Sequence, residues 1–378
     1  MSRDFDILVI GAGIAGASIG AVLSETARVA VLERERMPGY HTTGRSVAVY
    51  SAIYGNRVVR AITKSSRAFF EQPPAGFAEG PLLSPRGALH IAEDENRHLL
   101  DAFAAEPDVE ATVERCKTDE ALSYCPILKR AAAAVAVYER DAADMDVHAL
   151  HSGYLRLLRH HGGLLVTNAQ IQSLIYANGS WHAECEDGLF AAPILINAAG
   201  AWADAVAQLA NVRQIGIAPK RRTIVVVDAP AQTETLHWPL VIDIGETVYF
   251  KPDARRLLLS PADETPSDPC DAQPDELDIA VAIDRVQRAT TLEVKQVRRK
   301  WAGLRSFAAD RTPVVGFDAD APGFFWFAGQ GGYGIQMAPA LAQLGAALAR
   351  QQSTPDDCGV TADEISPMRE ACRVAEFR

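Results

Sequence analysis

No stretch of this 378-residue chain reaches the roughly 18 consecutive apolar residues of a membrane-spanning helix, so no integral membrane segment is expected. Cysteine is sparse. The six, Cys116, Cys125, Cys185, Cys270, Cys358 and Cys372, form no C-x-x-C pair. In a chain of this length they imply neither a disulfide framework nor a zinc site, and they read as reduced thiols. No secretory signal stands in the opening MSRDFD, so a cytoplasmic location is expected, with peripheral contact to the inner membrane left open. Basic residues are outnumbered, 37 to 48, for a net charge of −11 and a pI near 5.3. That balance leaves no basic surface for nucleic acid. A metal site is not expected either. His148 and His151 are three apart on a predicted helix, but no acidic or cysteine partner completes a ligand set. They read as solvated helix histidines.

What the chain has is enough apolar content, 48%, to bury a large core and build two domains. It also has glycine in telling places. Residues 5 to 33 read FDILVIGAGIAGASIGAVLSETARVAVLE. The β-branched run Phe5 to Ile10 predicts a buried parallel strand. It breaks into Gly11-Ala12-Gly13-Ile14-Ala15-Gly16, a G-x-G-x-x-G turn, followed by a helix and a second apolar strand closed by Glu33. Each part has a task in binding a dinucleotide. Gly11 permits the tight turn, and Gly13 lets a pyrophosphate approach the backbone. Gly16 lets helix and strand pack closely, and the helix N-terminus offers N–H donors to the phosphates. Glu33 can accept from the ribose hydroxyls and would repel a 2′-phosphate, which disfavours NADP. The motif alone does not separate NAD from FAD.

Further along, His41-Thr42-Thr43-Gly44-Arg45-Ser46 is a hydroxyl-rich loop suited to a phosphate or flavin. Residues 73 to 87 are rich in proline and glycine and mark a boundary. A helix is predicted near 93–106, a strand over 131–138, and a helix from an Asp146 cap to Gly162-Gly163. Three strands follow near 170–176, 180–186 and 189–196, with Asn178-Gly179 and Asp187-Gly188 at their turns. The third runs into Asn197-Ala198-Ala199-Gly200-Ala201-Trp202, a second strand-to-helix turn of small residues. A surface loop over 261–274 and a helix over 275–290 come next. Phe324 to Phe327 is a last apolar strand. It feeds Gly329-Gln330-Gly331-Gly332-Tyr333-Gly334 and a helix to about Arg350, with Pro339 placed near its first turn.

The three glycine turns in this order resemble the glutathione-reductase-type FAD fold, and more closely the D-amino-acid oxidase superfamily. Longer strings, GYHTTGRS, FFEQPPAGF, LLSPR, PKRRT, FKPDA, WAGLRSF and GQGGYGIQ, are similar to D-arginine dehydrogenases in particular. The likeness spans roughly residues 5 to 350. It implies an α/β fold: a Rossmann FAD domain from 1–81, 141–219 and 307–378, with an inserted mixed-sheet α+β substrate domain from 82–140 and 220–306. It implies a noncovalently held FAD, since the 329–340 loop carries no cysteine. The implied cofactor contacts are Gly11, Gly13, Ile14, Ala15, Gly16, Glu33, Arg34, Thr42, Thr43, Arg45, Ser46, Ala199, Gly200, Trp202, Gly331, Gly332, Tyr333, Gly334, Ile335 and Gln336. Arg222 and Arg305 would clamp the substrate carboxylate, a planar target suited to a guanidinium fork. Tyr54 and Tyr249 would close the pocket, with Val49, Ser51, Ala88 and Gly332 lining it.

The implied chemistry is oxidative deamination of a D-amino acid. A hydride passes from Cα to flavin N5, and the resulting imine is hydrolysed to a 2-oxo acid and ammonia. The electrons then go to a quinone, an electron carrier or O2. Two departures from the arginine enzymes bear on specificity. Val49 stands where they carry a histidine, and Ala88 stands where they carry the glutamate that meets the guanidinium. Arginine specificity is therefore not carried over, and a neutral or apolar side chain is expected. Amine deprotonation also loses its candidate; either the neutral amine binds, or a tyrosine or water assists. Alternative readings are oxidation of a secondary amine, a cyclic imino acid or a 2-hydroxy acid, or a flavin-binding subunit of a larger complex. Glu79 or Asp243 would be the acids to restore cation binding.

Overall fold

The computed structural model describes residues 3–230, 234–355 and 358–373. Among these, a six-stranded sheet runs in the order Leu164–Val166, Val29–Leu32, Ile7–Ile10, Ile194–Asn197, Phe324–Ala328, Val314–Phe317. The first five strands are mutually parallel and the last is an antiparallel edge. Ile7–Ile10, Val29–Leu32 and Phe324–Ala328 are buried on both faces, which is why they are apolar throughout rather than alternating. Ile7 and Val9 point into a core shared with the helices Ile14–Leu23, Val147–His160 and Gly334–Ala349. Leu8 and Ile10 point the other way, against Trp181, Ala183 and Phe190. Those residues belong to a small sheet in which Ser173–Ala177, Ser180–Cys185 and Gly188–Ala192 pair antiparallel and Arg3–Asp4 adds a short parallel edge. The stretch expected as a single third strand is two strands, Gly188–Ala192 and Ile194–Asn197, in different sheets. Pro193 stands between them and supplies no N–H to a continuing ladder.

A second, larger sheet contains Val297–Phe307, Ala218–Asp228, Arg256–Ser260, Tyr249–Asp253, Leu240–Asp243, Ala88–Ala92 and Val135–Glu139 as successive neighbours. Its long strands have two faces of different character. Val225 and Val227 pack with Ile279, Ala282 and Val286 of the helix Glu276–Ala289. Their neighbours on the chain, Arg222 and Ile224, face a cavity instead. The fold is thus mixed α/β, with that cavity bounded by residues of both large sheets.

Pro339 lies inside the helix Gly334–Ala349, beyond the first turn where it was expected. A proline there removes one backbone donor and disturbs the ladder around it. Ser66 of the packed helix Arg57–Glu71 bonds to backbone groups on both sides of the proline. Its hydroxyl donates to the Met337 carbonyl at 3.2 Å and accepts from the Ala340 N–H at 3.1 Å. Among the described residues no helix is long and apolar enough to cross a membrane, and the cysteines form no disulfide, Cys270 alone being exposed.

Candidate active site

The cavity, about 380 Å³, begins at the first glycine turn. Gly11 has φ +98°, a left-handed conformation, and a Cβ there would stand 2.7 Å from the Ala198 carbonyl oxygen. Only glycine suits it. Gly11 and Ala198 therefore bring the first and second turns into contact. A Cβ on Gly16 would stand 1.9 Å from the Gly11 oxygen, so that glycine seats the helix on its strand and does not line the cavity. Gly13, Ile14 and Ala15 do line it, at the opening of the helix Ile14–Leu23. Ile14 N–H donates to Thr43 Oγ1 at 3.0 Å, which ties the hydroxyl-rich loop to this turn.

Glu33 is buried and also lines the cavity. One oxygen accepts from Ala12 N–H at 2.7 Å and the other from Glu35 N–H at 2.9 Å. Each carboxylate oxygen keeps a second lone pair for a ribose hydroxyl. Arg34 and His41 both lie against the Trp202 ring, at 4.8 and 4.6 Å from its centroid. Thr42, Thr43, Arg45, Ser46, Ala199, Gly200 and Trp202 all border the cavity. The Arg45 guanidinium is nonetheless committed elsewhere, to the Ala272 and Ala302 carbonyls and to Asp271.

At the far end lie Gly331, Gly332, Gly334, Ile335, Arg222, Tyr249 and Arg305. Arg222 pairs in register with Gly303 and Lys220 with Arg305 on the adjacent strand, so Arg222 and Arg305 share one sheet face. Arg222 is buried and already engaged. Its Nε donates to the Asp263 carbonyl at 2.9 Å and its Nη2 meets Glu264 at 3.3 Å. Arg305 differs: its Nη1 donates to Tyr54 Oη at 2.9 Å, and it forms no carboxylate ion pair among the described residues. Its guanidinium lies over Gly332, where a Cβ would come within 2.9 Å of Cζ.

Several expected contacts turn away from the cavity. The Tyr333 ring packs on Tyr54 and Phe307, with centroids 4.8 and 6.0 Å away. Gln336 uses its amide inside the fold, accepting from Ser51 N–H at 3.1 Å and donating to Thr63 Oγ1 at 3.1 Å. Tyr54 reaches the site through Arg305 rather than by lining it. Val49 and Ala88 sit in an apolar cluster with Leu240, Ile242 and Tyr249, behind the cavity wall. Ser51 is buried against Glu139.

His151 corrects the reading of both helix histidines as solvated. His148 is exposed, but His151 is buried and its Nε2 lies 2.8 Å from the Ala12 carbonyl oxygen, bracing the glycine turn. Burial holds its ring below the usual imidazole range. Sequence reasoning passed over one group of the site and one buried group near it. Gln330 borders the cavity with a buried Nε2 that has no partner among the described residues, and Glu139 is treated below. Gln330 stood inside a quoted motif, so a signal was present; Glu139 had none.

These features fit a flavin dinucleotide. The helix N-terminus and hydroxyls suit its diphosphate, Glu33 its ribose, and the orphaned amide of Gln330 the acceptor-rich edge of its ring. The glycines leave the backbone bare where it must be approached. Comparison with known proteins agrees. Residues 6–348 match the family model described as FAD dependent oxidoreductase. Glycine oxidase of Geobacillus kaustophilus is 23% identical over 376 residues, covering 94% of this chain and 96% of that protein. The crystal structure of glycine oxidase from the same organism superposes with a TM-score of 0.83 at 22% identity, over 97% and 99% of the two chains. FAD-dependent oxidoreductase domain-containing protein 1 of Xenopus laevis is 29% identical over 179 residues; this chain spans only 34% of that relative's length and is matched over 41% of its own. The chain belongs to the FAD dependent oxidoreductase family, and FAD is its cofactor.

Proposed function

We propose that this protein oxidises a D-amino acid with a neutral or apolar side chain, releasing the 2-oxo acid and ammonia. Arg305 carries the reading: a guanidinium at a cavity wall, without a carboxylate partner among the described residues, is a site for a substrate carboxylate. Tyr54 accepts from Arg305 and holds its guanidinium in place at the cavity wall. Arg222 is drawn back by Asp263 and Glu264, so it takes the smaller share of that binding. FAD, when bound, supplies the two-electron oxidation of the Cα–N bond, and water hydrolyses the imine. The flavin is held noncovalently. The D configuration rests on the resemblance of the motifs, and glycine oxidase among the relatives is in keeping with an amino acid substrate. The same reading assigns 1–81, 141–219 and 307–378 to FAD and 82–140 and 220–306 to the substrate, in a cytoplasmic protein.

The side-chain preference rests on the sequence departures at Val49 and Ala88, which stand behind the Tyr249 wall of the cavity in place of a histidine and a glutamate. The cluster of Ala88 with Val49, Leu240, Ile242 and Tyr249 is apolar. The acids around it are held or remote: Glu139, the register partner of Ala88, accepts from Ser51 Oγ and Ala52 N–H. Asp243 accepts from Gly245, Thr247 and Val248 in its own turn, and Glu79 is exposed. A buried unpaired guanidinium costs several kcal/mol, whereas an apolar side chain gains about 25 cal/mol per Å² buried. D-leucine, D-methionine and D-phenylalanine are therefore expected to exceed D-arginine in kcat/KM by roughly tenfold or more, the factor set by ~1.4 kcal/mol. Anaerobic bleaching of the flavin against D- and L-amino acids, followed by competition assays, checks this. A clear win for D-arginine refutes it.

A further inference from the structure

The strand Val135–Glu139 ends on an acid that the site as described does not use. Glu139 is fully buried at 0% exposure and forms no ion pair among the described residues. One oxygen accepts from Ser51 Oγ at 2.6 Å and the other from Ala52 N–H at 2.7 Å. Its register partner is Ala88, so the two side chains share one face of the sheet, and Ala88 belongs to the apolar cluster that includes Tyr249. The turn it holds is fastened from two other sides. Gln336 accepts from Ser51 N–H at 3.1 Å, and Arg60 Nε donates to the Ile53 carbonyl at 2.9 Å. That turn leads directly into Tyr54, whose hydroxyl meets Arg305 at 2.9 Å.

We propose that Glu139 is a positioning residue for substrate binding: its carboxylate fixes the Ser51–Ile53 turn, and through it Tyr54 and the guanidinium of Arg305. The proposal rests on the reading of Arg305 as the carboxylate binder. A buried acid without an ion pair is costly to keep, and its hydrogen bonds to the turn are what offset that cost here. Ionised, it holds both donors with charge-assisted bonds; protonated, it loses part of that acceptor capacity. Burial pushes its carboxyl up to about 7, against the pull of Ser51 and Ala52. The charged and titratable groups around it are Asp141 and Tyr50, with Arg67 beyond, bonded to the Asp141 carbonyl and lying over the Tyr50 ring. Arg60 on the far side of the turn is paired with Glu106. The grip on Arg305 therefore weakens as pH falls through about 7.

The test uses the FAD-loaded protein and benzoate, a carboxylate that stays ionised over the range, titrated by its effect on flavin absorbance at pH 6 and pH 8. The unaltered protein should bind benzoate about threefold or more tightly at pH 8, and Glu139→Gln should lose that dependence, a carboxamide having no proton to gain. Glu139→Ala, which leaves Ala52 N–H and Ser51 without their acceptor, should weaken binding about tenfold. Arg305→Met is the control for the underlying reading. A Glu139→Gln profile identical to that of the unaltered protein overturns the proposal. So does full affinity in Glu139→Ala when Arg305→Met has lost it. Unchanged affinity in Arg305→Met overturns the carboxylate clamp itself, and the proposal with it. If Glu139→Ala yields no loaded protein, the pH profile of Glu139→Gln decides alone.

Discussion

Arg305→Met is expected to lower kcat/KM for the amino acid substrate by about 2–5 kcal/mol, roughly 30- to 5,000-fold, as for truncating one partner of a desolvated charge pair. Methionine keeps much of the side-chain volume over Gly332 but offers no donor. The same variant should leave FAD content near normal, because Arg305 is fixed by its own strand and Tyr54, and the dinucleotide features lie on other elements. Tyr54→Phe removes one hydroxyl and leaves the guanidinium in place, so its cost should be nearer 1 kcal/mol. Steady-state kinetics on an amino acid and its amide separate charge recognition from general damage. In the unaltered protein the amide should be a poor substrate; in Arg305→Met the difference should shrink. Equal turnover of acid and amide by the unaltered protein would contradict the assignment.

The parts of this molecule that were legible in its sequence are those where backbone must come close to backbone or to ligand. Gly11, Gly16 and Gly332 are glycines because a Cβ would strike Ala198, Gly11 and Arg305 respectively, and each lies in a motif that alternates strand, turn and helix. Local cues also placed the Asp146 cap, which accepts from Ala149 N–H at 2.8 Å. What stayed hidden depends on contacts made far along the chain. His151 reads as surface until the helix Val147–His160 is laid against the first glycine turn, 139 residues away. Glu139 lies 88 residues from Ser51, and only the pairing of two strands of the larger sheet puts it inside. Tyr333 and Gln336 lie at the start of the helix Gly334–Ala349 beside residues that line the cavity, and the helical turn points their side chains the other way. Sequence gives the motif; it does not say which side chains within the motif face the ligand.

Gly13→Val should separate cofactor binding from folding. A Cβ at Gly13 would meet Thr43 Oγ1 at 3.3 Å, a side-chain contact rather than backbone, and a shift of a few tenths of an ångström there would relieve it. The cofactor-free protein should therefore fold with little loss of stability. A diphosphate crossing the turn needs the space a branched side chain would fill, so FAD affinity should fall at least about a hundredfold, roughly 2.7 kcal/mol. Gly16→Val is the contrasting case. Its Cβ would stand 1.9 Å from the Gly11 carbonyl oxygen and 3.2 Å from Val9, both inside the fold. The helix Ile14–Leu23 would have to leave its strand, and destabilisation by several kcal/mol is expected even without FAD. Thermal unfolding of the two cofactor-free variants, with a fluorescence titration of FAD into each, checks both outcomes. FAD binding by Gly13→Val at normal strength would mean that the diphosphate does not cross this turn. Collapse of Gly13→Val to the stability of Gly16→Val would mean that the clearance beside Thr43 is not real space.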